Sequence, residues 1–150
     1  MSDAREGGCQ CGAIRYRFEG EPISLAVCHC TECKRQSGSS FGMSLTVRKE
    51  DFRTLKGELK TFTRKADSGR EVLCAFCPEC GTRIYHEPLY REGAVNIKPG
   101  TFDDTSFLRP SIQVWTSRKH DWVELPPDWL SFERQPGQRS FALVGKPPED

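Results

Sequence analysis

The sequence has almost no net charge and no long hydrophobic run. Its 22 basic side chains against 21 acidic ones leave a formal charge of +1, so it lacks the overall positive field that holds a protein on nucleic acid or an anionic membrane. No apolar run approaches the roughly 18 residues that span a bilayer. The charged start, Met1 to Gly8, has no apolar stretch typical of a signal peptide. We therefore expect a cytoplasmic protein without nucleic-acid or membrane partners.

The chain is also short of core-forming material. With 150 residues, of which 36% are hydrophobic, it predicts a single domain over 1–150 with a modest core. We expect that core to cover about residues 6–136 and the Pro/Gly-rich tail, Gly145 to Asp150, to be frayed. A core of this size suggests that a covalent or metal staple contributes to stability.

Cysteine is what the sequence has in excess. There are 8, all within the first 80 positions, and clustered thiols in a reducing compartment more often hold metal than form disulfides. Two C-x-C pairs suit an extended backbone, on which residues i and i+2 face the same way. Two C-x-x-C pairs suit a tight knuckle. The eight are Cys9, Cys11, Cys28, Cys30, Cys33, Cys74, Cys77 and Cys80.

Glycine placement predicts how four of the cysteines group. Gly12 follows Cys11 and Gly81 follows Cys80, and a glycine there allows the positive φ that closes the backbone under the sulfur. We therefore predict a closed structural zinc site. Its ligands would be Cys9, Cys11, Cys77 and Cys80.

A second group, Cys28, Cys30 and Cys33, offers three thiols and has no glycine directly after it. Three protein ligands leave the fourth zinc position open to water or substrate, which is the mark of a catalytic zinc. Three thiolates and Zn²⁺ carry a net charge of −1, so Lys34 and Arg35 could offset that charge or attract an anionic substrate. A solvated basic turn is an equally open interpretation of these two residues.

Two residues could close the second group and remove its chemistry. His29 lies between two of the cysteines, but on an extended backbone it points away from them, so we expect it behind the site or exposed. Cys74 could form a triad with Cys77 and Cys80 or act as a fourth ligand of the second group. We favour a third interpretation, in which Cys74 is a buried strand residue.

Short β-rich runs dominate the rest of the chain and predict a mainly antiparallel β fold with few short helices. Helical turns are expected at Thr31 to Ser37 and near Lys49 to Phe52. Strands are expected at Ala13 to Phe18, Phe41 to Val47, Leu59 to Thr63, Glu71 to Phe76, Thr82 to His86, Ala94 to Lys98 and Ile112 to Thr116.

The motifs around the cysteines match a known pattern. They are Gly7-Gly8-Cys9-Gln10-Cys11-Gly12, then Cys28-His29-Cys30-Thr31-Glu32-Cys33, then Phe76-Cys77-Pro78-Glu79-Cys80-Gly81. The chain resembles the glutathione-dependent formaldehyde-activating enzymes, carbon-sulfur lyases whose family also includes centromere protein V. The resemblance implies a β-tent fold pinned by zinc knuckles, with a structural zinc on Cys9, Cys11, Cys77 and Cys80 and a catalytic zinc on Cys28, Cys30 and Cys33.

The resemblance also implies an activity. The chain would act as a lyase resembling S-(hydroxymethyl)glutathione synthase, joining a small thiol such as glutathione to formaldehyde or a related aldehyde. It would bind two zinc ions, and the second site need not be fully occupied. Two other hypotheses stay open: a non-catalytic zinc-stabilised scaffold, and a thiol redox or metal-buffer protein. The pattern does not predict the substrate pair or the oligomeric state.

Overall fold

The computed structural model describes residues 3–66 and 69–136. The predicted frayed tail, Gly145 to Asp150, lies outside them. The one α-helix among the described residues is α1 (Thr31–Ser37). The strands are β1 (Ala4–Gly8), β2 (Arg15–Glu19), β3 (Ser24–Cys28), β4 (Gly42–Arg48), β5 (Phe52–Lys56), β6 (Lys60–Lys65), β7 (Glu71–Phe76), β8 (Arg83–Pro88), β9 (Ala94–Ile97), β10 (Ile112–Val114) and β11 (Leu130–Ser131).

The chain divides into two units. The first unit consists of Met1–Pro22 and Thr46–Leu108, and the second unit of Ile23–Leu45 and Arg109–Asp150. The boundary falls within β4, which therefore contributes residues to both. No helix in the described part of the chain is long and apolar enough to cross a membrane.

The first unit contains a three-stranded antiparallel sheet in the order β1-β2-β5. Alternation along the central strand buries Tyr16 and Phe18 on one face. Tyr16 packs on Phe52, with ring centroids 5.3 Å apart, and Phe52 packs edge-on against Tyr85 at 5.0 Å. Because Tyr85 belongs to β8, these aromatic contacts join the small sheet to the unit's other strands and form its core.

Those other strands run in the order β9-β8-β7-β6, each antiparallel to its neighbour. A register shift between Ala75 and Phe76 pairs Phe76 with Arg83. Such a bulge changes which face the following side chains occupy.

The second unit contains strands in the order β11-β10-β3. Its core consists of Ala26, Ile112 and Val114, against which Trp115 and Phe132 pack. The pairing of β10 with β3 and with β11 is parallel, so the expectation of antiparallel pairing does not hold here. The connection from β3 to β10 spans many residues, which leaves room for the crossover that a parallel pair requires.

The mainly β fold with few short helices is confirmed. The helix at Thr31–Ser37 and the strand at Glu71–Phe76 have the predicted bounds, and the 3₁₀ turn at Lys49–Asp51 falls where a helical turn was expected. Four strands, β1, β3, β5 and β11, were not predicted.

Candidate metal centres

Four cysteine sulfurs meet at one place in the first unit. Cys9 and Cys11 follow β1, Cys77 and Cys80 follow β7, and all four sulfurs lie within 4.8 Å of one another. Cys11 Sγ lies 3.6 Å from Cys9 Sγ and 3.7 Å from Cys77 Sγ. The edge of a tetrahedron of thiolates around zinc is about 3.8 Å, given Zn–S distances near 2.3 Å. The donor set and its spacing therefore fit a tetrahedral metal ion.

The two cysteine turns have the same backbone design. Gly12 N–H donates to the Cys9 carbonyl at 3.2 Å and Gly81 N–H to the Cys77 carbonyl at 2.9 Å. The two glycines have φ of +82° and +81°, a conformation that a residue with a Cβ adopts only with strain. Each glycine thus completes the turn that presents its pair of sulfurs.

Backbone N–H groups also point at the sulfurs. Ile14 N–H donates to Cys9 Sγ at 3.2 Å and Glu79 N–H to Cys77 Sγ at 3.4 Å. Such bonds orient the two sulfurs and satisfy part of their hydrogen-bonding capacity, as the groups around metal-binding thiolates do.

Thr82 links the two turns. Gln10 N–H donates to Thr82 Oγ1 at 3.2 Å, so the hydroxyl can donate its own proton to Cys80 Sγ, also 3.2 Å away. This hydroxyl, together with the Thr82 and Cys11 backbone N–H groups, lowers the pKa of Cys80 to about 5. These hydrogen bonds favour the thiolate of Cys80, the form that binds a metal ion. Sequence reasoning missed Thr82, although its position two residues after a cysteine is a usable signal.

The second unit brings the other three predicted ligands together. Cys28 ends β3, Cys30 is the N-cap of α1, and Cys33 lies in its first turn. Their sulfurs lie within 4.8 Å of one another, and among the described residues no fourth His, Cys, Asp or Glu belongs to the group. A Cβ added at Gly42 would lie 3.0 Å from the Cys33 Cβ, so glycine there allows β4 to pass close to the helix.

The three sulfurs of this centre compete for protons when no cation is bound. The Cys28 thiol can donate its proton to the sulfurs of Cys30 and Cys33, and this, with burial as a further cause, raises the pKa of Cys28 well above its ordinary value. Cys33 N–H donates to Cys30 Sγ at 3.3 Å and orients that sulfur. A divalent cation would relieve the repulsion among three thiolates and release protons on binding.

His29 is buried behind this centre and is not exposed. It does not belong to the group of possible metal ligands. Its Nε2 lies 3.0 Å from Gln113 Oε1, and Gln113 Nε2 donates to Ser131 Oγ at 3.0 Å. Burial lowers the pKa of His29 despite the Gln113 contact, which acts in the opposite direction. Its neutral imidazole thus anchors the cysteine-bearing strand to β10 and β11.

Two further predicted residues take structural positions. Cys74 is completely buried in β7, as favoured, and belongs to neither cysteine group. Lys34 donates a hydrogen bond to the Arg118 carbonyl, so its ammonium group holds α1 against the segment after β10. Arg35 is exposed.

The fold and its cysteines define a class: a mainly β protein with two cysteine groups that could hold metal ions. The chain belongs to the glutathione-dependent formaldehyde-activating enzyme family, whose model matches residues 4–118. It is 26% identical over 144 residues to a Halomonas elongata protein named "Putative glutathione-dependent formaldehyde-activating enzyme", covering 91% of this chain and 86% of that protein.

A solved structure supports the fold. The crystal structure of a Rhodobacter sphaeroides protein matches with a TM-score of 0.55 at 18% sequence identity, covering 85% of this chain and 98% of that one. At this identity the match concerns the fold alone.

Proposed function

We propose that this protein is a zinc-dependent carbon-sulfur lyase resembling S-(hydroxymethyl)glutathione synthase, which handles the adduct of a small thiol and an aldehyde. Glutathione and formaldehyde are the pair that its family membership favours. The observation that carries the proposal is the group of Cys28, Cys30 and Cys33, three converging sulfurs without a fourth ligand-type side chain among the described residues.

In the forward reaction the thiol sulfur attacks the carbonyl carbon, a C–S bond forms, and the thiol proton ends on the former carbonyl oxygen. A zinc ion held by Cys28, Cys30 and Cys33 would favour the thiolate form of the substrate, which is the nucleophile. Three thiolates outweigh the ion's charge and leave the centre at −1, so we assign the site to holding a thiol next to the carbonyl carbon more than to polarising the carbonyl.

The protein residues around this centre keep it rigid. Cys33 N–H holds the Cys30 sulfur, the contact of His29 with Gln113 fixes the residue between Cys28 and Cys30, and Lys34 fixes the helix. The four-cysteine centre carries the structural role, since its four sulfurs leave no position for a substrate. Both centres need reduced thiols, which agrees with a cytoplasmic location.

The test compares Cys30→Ser with Cys74→Ala. The second variant is a matched control, because it removes a buried thiol that belongs to neither centre. The rate of exchange between glutathione and its formaldehyde adduct is measured by NMR, with the uncatalysed rate subtracted. We expect Cys30→Ser to abolish the catalysed rate and keep the thermal transition, and Cys74→Ala to keep both. Full turnover by Cys30→Ser would refute the proposal, and so would a loss of folding equal to the loss of turnover.

A further inference from the structure

Polar side chains outside the two cysteine groups meet on one face of the strands β6–β9 in the first unit. Residues directly opposite each other in antiparallel strands share a face, and the register pairs Cys74 with His86 and His86 with Asn96. Because of the bulge at Phe76, Arg83 returns to the same face, where its Nη1 lies 2.9 Å from His86 Nε2. Arg83 and His86 are therefore in direct hydrogen-bonded contact within β8.

The arrangement of this pair is unusual because the guanidinium meets a neutral base instead of a carboxylate. His86 is 5% exposed, and burial, followed by the positive charges of Lys98, Arg83 and Arg64, lowers its pKa to about 2. An uncharged imidazole accepts a hydrogen bond from Arg83 without cancelling its charge. The arginine is thus oriented and remains fully cationic.

No acid balances this face within the residues that the structure describes. None of the ion pairs there involves Arg64 or Arg83. The carboxylate of β8, Glu87, lies on the opposite face and binds Lys49 at 2.8 Å. Arg83 also lies over the Phe76 ring at 5.8 Å, which fixes its plane further.

We propose that Arg83, oriented by His86, forms a subsite for a carboxylate group of an anionic ligand. A guanidinium presents paired N–H donors that match the two oxygens of a carboxylate. Arg83 is only partly buried, so a ligand can reach it. The choice of a glutathione-type ligand rests on the proposed function; the subsite itself rests on the pair.

The test uses the full zinc-loaded chain and S-methylglutathione, which keeps both carboxylates of glutathione but has no thiol to react. Calorimetric titration is repeated with its diethyl ester, which has no carboxylates. The variant is Arg83→Gln, and Arg53→Gln on β5 is the matched control for loss of one positive charge. His86→Leu removes the acceptor, and His86→Gln restores one.

We expect Arg83→Gln to weaken S-methylglutathione binding roughly tenfold to a hundredfold and to leave the weak ester binding unchanged. His86→Leu should weaken binding, and His86→Gln should recover part of it. Equal binding of the acid and the ester, no binding by wild type, or loss of zinc from Arg83→Gln would each overturn the subsite. The adduct-exchange assay judges the proposed reaction independently, because S-methylglutathione cannot undergo it.

Discussion

Cys11 Sγ and Cys77 Sγ lie 3.7 Å apart although 66 positions separate them along the chain. A metal ion at this point closes a long loop and joins the start of the first unit to its β7–β8 turn. Structural zinc in small domains contributes about 10–16 kcal/mol of apparent binding free energy, while a whole domain is stable by about 5–15 kcal/mol. Folding should therefore depend on this one contact region.

Removing the metal from the four-cysteine centre should unfold the protein. We expect Cys77→Ser, or a strong chelator acting on wild type, to abolish the cooperative thermal transition followed by circular dichroism. Cys74→Ala, which only shortens a buried side chain, should cost about 1 kcal/mol and keep the transition. A chelated protein that still melts cooperatively at the same temperature would show that the centre is not the staple.

The close contact between β1 and the Tyr16 ring should make Gly7 intolerant of any side chain. A Cβ at Gly7 would lie 2.6 Å from the Tyr16 hydroxyl, whereas a Cβ at Gly100 would meet nothing within 4 Å. We expect Gly7→Ala to lower the free energy of unfolding by about 1–3 kcal/mol and Gly100→Ala to change it little. Urea denaturation measures both, and equal effects would contradict the packing described.

The hydrogen bonds that join His29, Gln113 and Ser131 behind the three-cysteine centre should contribute to stability and to metal binding. Gln113→Leu leaves His29 Nε2 without its partner, which should cost about 1–3 kcal/mol and reduce zinc content at this centre. Ser131→Ala, at the exposed end of this series of hydrogen bonds, should cost less. Unchanged zinc content in a destabilised Gln113→Leu protein would separate His29 from the metal site.

Stability should fall as the solution becomes acidic, partly because of His86. Its pKa in the fold is about 2 against an ordinary value of 6.5, so below pH 6.5 the unfolded chain takes up a proton that the folded chain does not. Each such group lowers the free energy of unfolding by about 1.4 kcal/mol per pH unit below that value.

The measurement is urea unfolding between pH 7.5 and 5.5 with zinc in constant excess. Wild type should lose stability more steeply than His86→Gln, by about 1.4 kcal/mol per pH unit at the acid end. Parallel pH profiles for the two proteins would mean that the imidazole is already accessible to protons in the fold.

Local patterns in the sequence predict much of the fold. The strand Glu71–Phe76 has a β-rich run between turn signals, and α1 has Cys30 as its N-cap and Gly38 at its C-cap. The strand β1, with two glycines and two charged residues, has no such pattern. It forms because it pairs with β2, and stabilisation by a neighbouring strand cannot be read from the propensity of the segment itself.

The same limit applies to the candidate sites. Cysteine spacing and the two glycines are local signals, and they placed the groups that the structure brings together. Gln113 lies behind His29 only because β10 pairs in parallel with β3, and Arg83 meets His86 only because of a bulge. Neither relationship has a signature in the sequence.

The claim that the three-cysteine centre keeps an open position is tested most directly by zinc K-edge X-ray absorption on the two-zinc protein. One site with four sulfurs and one with three average about 3.5 sulfurs per zinc, and the account predicts this value with a lighter atom completing the shell. A value of about 4.0, with every ligand a sulfur, would contradict it, because a closed second centre could not bind a substrate thiol.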